Sequence, residues 1–142
     1  IDLLDPKRYE IWYLSYRGEP KSWYRVDKFL KAVPHDEVGK IYQQCHILLK
    51  TSVLESFSYP PLEMMATGGA AVVLRNEGNA AYLVDNTNSL LFNRGEDVRA
   101  ADLIQSIVDN VELRGRLINA GLLTAQSLSW NAIEKEILAL YE

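Results

Sequence analysis

Glu55 and Glu63 lie eight positions apart in the stretch Glu55-Ser56-Phe57-Ser58-Tyr59-Pro60-Pro61-Leu62-Glu63. An ionised carboxylate offers only acceptors, so each can take hydrogen bonds from hydroxyls, two at once from a vicinal pair. Such charge-assisted bonds are each worth about 1.5–3 kcal/mol. Between the two acids, Pro60 and Pro61 have φ fixed near helical values and no N–H, which suits the first turn of a helix. A helix N-terminus carries partial positive charge and binds anions. Backbone N–H groups of Phe57, Ser58 and Tyr59, with the hydroxyls of Ser58 and Tyr59, would line it. A ligand with phosphates and hydroxyls fits these groups, and a nucleoside-diphosphate sugar is one. Glu63, expected in the first helical turn, would take a ribose diol; Glu55, on the other side of the phosphates, would take hydroxyls of the sugar.

A purely structural reading competes. Ser52-Val53-Leu54-Glu55 matches a capping box, and Glu63 in a first turn would complement the helix dipole. The ligand reading requires both carboxylates to converge on one cavity. A turn toward solvent or an internal ion pair at either would remove its physical footing.

The surrounding pattern supplies elements to position such a loop. Residues 9–16 (YEIWYLSY) read as a strand, closed by the turn residues Arg17-Gly18-Glu19-Pro20, and 26–33 as a weaker strand. A helix is expected from Pro34 to about Gln44, with Asp36 and Glu37 in its first turn and Val38, Ile41, Tyr42 and Cys45 on one face. His46 to Thr51 is a short apolar strand without clean alternation, as in a parallel strand covered on both faces. A short helix from Pro60 to Thr67 ends at Gly68-Gly69. Strands follow at 70–74 (AAVVL) and 90–92, separated by a polar loop, a helical turn near Ala80–Val84 and a turn at 85–88. Three helices are expected after Glu96, the second over 111–128 and the third capped by Ser129. Alternating strands and helices imply an α/β domain, a Rossmann-like and mostly parallel sheet flanked by helices, with C-terminal helices beyond it. Ligands of such sheets bind outside the carboxyl ends of the strands.

With 142 residues, 48% of them hydrophobic and 24% charged, the chain is one soluble globular domain. A net charge of −4 argues against a broad nucleic-acid surface. No run approaches a membrane span, and no signal peptide is evident. A single Cys45 excludes a disulfide framework and reads as a buried structural thiol. His35 and His46 read as a residue at a helix start and a strand-edge residue. The chain has no G-x-G-x-x-G, P-loop, H-E-x-x-H, paired Cys/His spacing, G-x-S-x-G or Asp-x-Asp. No metal site is therefore expected, and the diphosphate would be neutralised by protein groups.

The register of strand, Thr51-Ser52, Glu55, Phe57, Pro60, Glu63, Gly68 and strand resembles the donor-binding domain of retaining nucleotide-sugar glycosyltransferases of the GT-B fold, whose motif is Glu, seven residues, Glu. Ala71-Val72-Val73 through Gly78, the turn and strand at 85–92, and Ser129-Trp130 resemble further segments of that family. The resemblance implies a Rossmann-like half of a GT-B fold. It implies that Glu55 contacts the donor sugar as the catalytic-site acid, that Glu63 contacts the ribose, and that the backbone at Phe57, Ser58 and Tyr59 contacts the diphosphate. Arg17, Gly18 and Gly78 would line the cleft; Lys50 is a further basic candidate, whereas Lys21 and Arg25 read as solvated. Trp12, Tyr13, Trp23 and Tyr24 read as core or interface aromatics before base-stacking ones. It implies no cofactor other than a nucleoside-diphosphate sugar, a carbohydrate or lipid-linked acceptor, and no nucleic acid. It implies a cytoplasmic location, and it allows peripheral membrane association and oligomerisation in the full-length protein.

Two departures from the family pattern stand out: Ser58 where Gly is usual, and Asn88-Ser89 for Asn-Gly, a turn expected to place Asn88 in a left-handed conformation. Residues 1–142 read as a C-terminal donor-binding domain truncated on its N-terminal side, with Ile1–Arg8 as the tail of an earlier helix and the acceptor domain absent. The wording of 55–63 resembles rhamnosyl-type transferases of bacterial surface polysaccharides. The alternatives are a nucleotide-sugar epimerase of the same architecture and a non-catalytic α/β binding module.

Overall fold

The structure, a computed structural model, describes residues 1–141. Its elements follow in the order β1 (Trp12–Ser15), β2 (Lys28–Lys31), α1 (His35–Tyr42), β3 (Ile47–Lys50), α2 (Tyr59–Ala66), β4 (Ala70–Leu74), β5 (Leu90–Phe92), α3 (Asp97–Asp109), α4 (Val111–Ser127) and α5 (Trp130–Ala139). All strand pairs are parallel, and the fold is the expected α/β arrangement. The expected sheet is nonetheless two: β1 pairs only with β2, and β3, β4 and β5 form a second sheet in that order.

Strand β4 explains where the core sits. Every one of its residues is buried. Side chains alternate across a strand, so Ala70, Val72 and Leu74 join Leu90, Phe92, Ala100, Ile104, Ile107 and Leu117 on one face. Ala71 and Val73 join Met65, Tyr82, Leu83 and Leu91 on the other. Cover on both faces is why this strand has no polar alternation. Helix α3 and the first part of α4 close the first face; α2 and the end of α4 lie on the second.

Several local expectations change. Residues 77–82 form successive turns rather than a helical turn. The left-handed residue of the following turn is Asn86, at φ 58°. Asn88 is instead buried, its side chain accepting from the Val84 N–H and donating to the Tyr82 carbonyl and to Thr124 Oγ1. Residues 1–9 form turns, not a helix tail: Pro6 interrupts them, and the Asp5 side chain and carbonyl bond the N–H groups of Lys7, Arg8 and Tyr9. Arg25 is not solvated; it donates to the carbonyls of Leu4 at 2.9 Å and Tyr9 at 3.1 Å, tying down the N-terminal segment. Cys45 is half-buried, and burial pushes its thiol up. Ser129 occupies the N-cap of α5 as expected, although its side chain makes no capping bond.

Candidate functional site

The loops after β3 and β4 emerge side by side, because Lys50 of β3 stands opposite Val73 of β4 in a parallel register. They lie at the carboxyl ends of adjacent strands, where open α/β sheets bind ligands. The first loop carries Glu55 and leads into α2; the second, residues 75–79, holds it in place.

The ties between them are specific. Gly78 presses against the backbone of Glu55: a Cβ built on it would stand 2.3 Å from the Glu55 carbonyl oxygen, so no larger residue fits without moving the chain. The Ser58 N–H donates to the Gly78 carbonyl at 3.1 Å. Asn76 Nδ2 donates to the Ser52 carbonyl at 2.9 Å. Asn76 and Asn79 bond each other's backbone N–H groups through their side-chain oxygens, and Asn79 Nδ2 reaches the Leu74 carbonyl. The Tyr82 hydroxyl donates to the Ser58 carbonyl, and its ring lies 5.3 Å from that of Phe57, which in turn stands 4.8 Å from Tyr59. Burial raises the Tyr82 phenol well above its ordinary value, and the charge of Glu55 adds to the effect.

Glu55 does not cap a helix; residues 51–58 have no helical structure. Its Oε1 stands 2.5 Å from Lys50 Nζ in an ion pair whose side chains are 18% and 22% exposed. Lys50 also donates to Ser52 Oγ at 2.7 Å. Burial works to raise the Glu55 carboxyl, but hydrogen bonds from Lys50 and Ser52 and the Lys50 charge outweigh it, leaving the group below the usual carboxylate value. The internal ion pair that would remove the physical footing of the ligand reading is therefore present at Glu55, and that reading no longer stands on a free Glu55 carboxylate. The pair occupies part of a carboxylate's capacity, which is about four acceptor positions.

Helix α2 begins one residue earlier than expected, at Tyr59, with Ser58 as its N-cap and no acid in its first turn. Glu63 is consequently the fifth helical residue, and the dipole reading of it falls away. It is half-buried, and burial together with the Glu63 charge raises the phenol of Tyr42 on α1 strongly. Ser58 is fully buried, and its amide is committed to Gly78, so this amide is not offered to an anion in this arrangement. Its Oγ has no hydrogen-bond partner. Tyr59 is exposed and Phe57 half-buried.

Arg17 is exposed and stacks over Tyr16, while the Gly18 N–H donates to Ser15 Oγ. Among the described residues no bond or ion pair links them to the 52–63 loop. Asn76, Asn79 and Tyr82 were not singled out as site residues. Only the Asn76-x-x-Asn79 spacing offered a signal, that of a reciprocal side-chain turn. No group of three potential metal ligands occurs among the described residues, and no helix is long and apolar enough to cross a membrane.

Residues 27–124 match the family described as glycosyl transferases group 1, a span that includes both loops. The chain belongs to that family. Among its relatives, a D-inositol 3-phosphate glycosyltransferase of Corynebacterium urealyticum is 30% identical over 82% of this chain and 28% of its own length. O-antigen chain mannosyltransferase B of Escherichia coli is 26% identical over 93% of this chain and 33% of its own. The chain thus spans about a third of the length of these relatives. HepE of Anabaena, solved in complex with UDP-glucose, shares the fold at a TM-score of 0.71, with 19% identity over 80% of this chain and 31% of that one.

Proposed function

We propose that this glycosyl transferases group 1 chain is the donor-binding part of a retaining glycosyltransferase. It binds a nucleoside-diphosphate sugar, and the full-length protein passes the sugar to a hydroxyl of a carbohydrate or lipid-linked acceptor, with the anomeric configuration kept. The observation that carries this reading is the family match over 27–124, which spans a loop pair at the carboxyl ends of β3 and β4. HepE, of like fold, is described with UDP-glucose bound.

Glu55 meets the donor sugar and Glu63 the ribose. Glu55 is not a bare acceptor: binding adds to, or exchanges with, its Lys50 contact. The start of α2, with the amides of Phe57 and Tyr59 and the hydroxyl of Tyr59, faces the diphosphate and stabilises charge as the diphosphate leaves, whereas the buried Ser58 hydroxyl does not reach it in this arrangement. Arg17, Gly18 and Gly78 border the same cleft.

Calorimetry on the full-length protein tests this, with UDP-glucose, GDP-mannose and dTDP-rhamnose each set against its free diphosphate. One of these pairs should bind. Glu63→Gln should weaken both members of that pair by about 1–3 kcal/mol. Glu55→Gln should weaken the sugar-bearing member far more than the diphosphate; equal losses would remove the sugar role of Glu55. Inversion of the donor at C2 without acceptor would mark an epimerase instead.

A further inference from the structure

The Lys50–Glu55 pair has no stabilising rationale that an apolar pair would not meet as well or better, because desolvating two charges offsets most of their attraction. It stands at the carboxyl end of β3, at the start of the loop that leads to α2. The ammonium has three N–H groups; one meets Glu55 Oε1 and one Ser52 Oγ. One donor therefore remains on Lys50 beside the remaining acceptor positions of Glu55. A donor and an acceptor held side by side match a vicinal diol, in which one hydroxyl gives a proton while its neighbour receives one.

We infer that Lys50 is a positioning and specificity-determining residue: it fixes the Glu55 carboxylate and forms with it a two-signed subsite for adjacent hydroxyls of the donor sugar. This rests on the donor reading above. It adds a residue to that reading and a substrate requirement, namely a vicinal diol on the transferred sugar. Two features keep the pair in place. Gly78 backs the Glu55 backbone, and the Asn76 side chain anchors the Ser52 carbonyl. The titratable groups around the Glu55 carboxylate are Lys50 and Tyr82, and the Tyr82 hydroxyl is committed to the Ser58 carbonyl. Lys50 is thus the cation that holds the carboxylate ionised against its burial.

The test uses the full-length protein and whichever pair, UDP-glucose and UDP, GDP-mannose and GDP, or dTDP-rhamnose and dTDP, the unaltered protein binds. Lys50→Met should weaken the sugar-bearing member about tenfold or more, the loss of one charge-assisted contact, while the diphosphate changes about twofold or less. The residual preference for the sugar should then fall as pH is lowered toward the ordinary carboxylate range, because Ser52 alone is left to offset the burial of Glu55; in the unaltered protein it should stay level over the same range. Lys50→Arg should restore most of the preference. If Lys50→Met does not fold, Lys50→Gln, which keeps a donor toward Glu55 without the charge, replaces it and should weaken the sugar-bearing member more than the diphosphate. Equal losses for sugar and diphosphate, or no loss for either, overturn the role of Lys50. If the unaltered protein binds none of the three pairs, the donor reading fails and the inference fails with it.

Discussion

The first 45 residues and the stretch from 46 to 128 are built on the same β–α plan but to different depth. In the first, only Leu4 and Tyr42 are buried, and β2 has three exposed residues of four. In the second, all of β4 and β5 are buried between two layers of helix and loop. The N-terminal part is held by surface ties, such as Arg25 to the Leu4 and Tyr9 carbonyls and Arg8 to Asp109. It also displays aromatic rings to solvent, with Trp23 68% exposed. The candidate loops hang on the deep part. A site that must hold a charged pair and an orphan hydroxyl needs a scaffold that does not yield, and β4 with its two packed faces provides one.

This contrast can be broken from either side. The largest effect is expected at Ile107→Ala, which empties a fully buried position of α3 and should cost about 2–5 kcal/mol in denaturant unfolding. Gly78→Ala should cost about 1–3 kcal/mol, because its Cβ would collide with backbone rather than with a flexible side chain. Donor affinity should fall with it, and unchanged affinity would show that the Glu55 loop does not depend on that close approach. Arg25→Ala removes two charge-assisted bonds to carbonyls and should cost about 1–2 kcal/mol. Its signature is regional: amide exchange should quicken in residues 9–31 and stay unchanged in 70–92. The smallest effect is expected at Trp23→Ala, within about 0.5 kcal/mol, as for an exposed residue.

Acid provides a further contrast. The depressed Glu55 carboxyl contributes stability that is present above the ordinary carboxylate pKa and is lost as pH falls through the lower folded value. Glu55→Gln should therefore flatten part of the acid limb of the stability profile measured by thermal melts.

Much of the deep part was legible because its signals are local. AAVVL carries no alternation and so reads as a covered strand, and its bounds, 70–74, are those found. Prolines marked the start of α2 to within a residue, and the run of apolar spacing after Glu96 marked three helices. The family resemblance agrees with the family match over residues 27–124, a span that includes this loop. What stayed hidden was who bonds whom. Lys50 and Glu55 are five positions apart across a non-helical turn, a spacing with no periodic signature. Asn88 lies in the expected turn, but its buried side chain also bonds Tyr82, Val84 and Thr124, the last on a helix far along the chain. Arg25 looked solvated because Arg usually is, and only the path of residues 4–9 supplies its carbonyls.

Helix α2 rests on Met64 and Met65, both fully buried, and each methionine fills the space over a glycine. A Cβ at Gly69 would meet Met64 Cε at 2.2 Å, and one at Gly121 of α4 would meet Met65 Cγ at 2.9 Å. The seat of the helix that bears Glu63 is thus cut by two glycines that lie outside both candidate loops. Unbranched thioether chains re-form readily around small changes, so a side chain at 69 or 121 would press first on the methionines that seat this helix. Drift in substrate preference among related proteins has, in this pair of glycines, a place to begin outside the site.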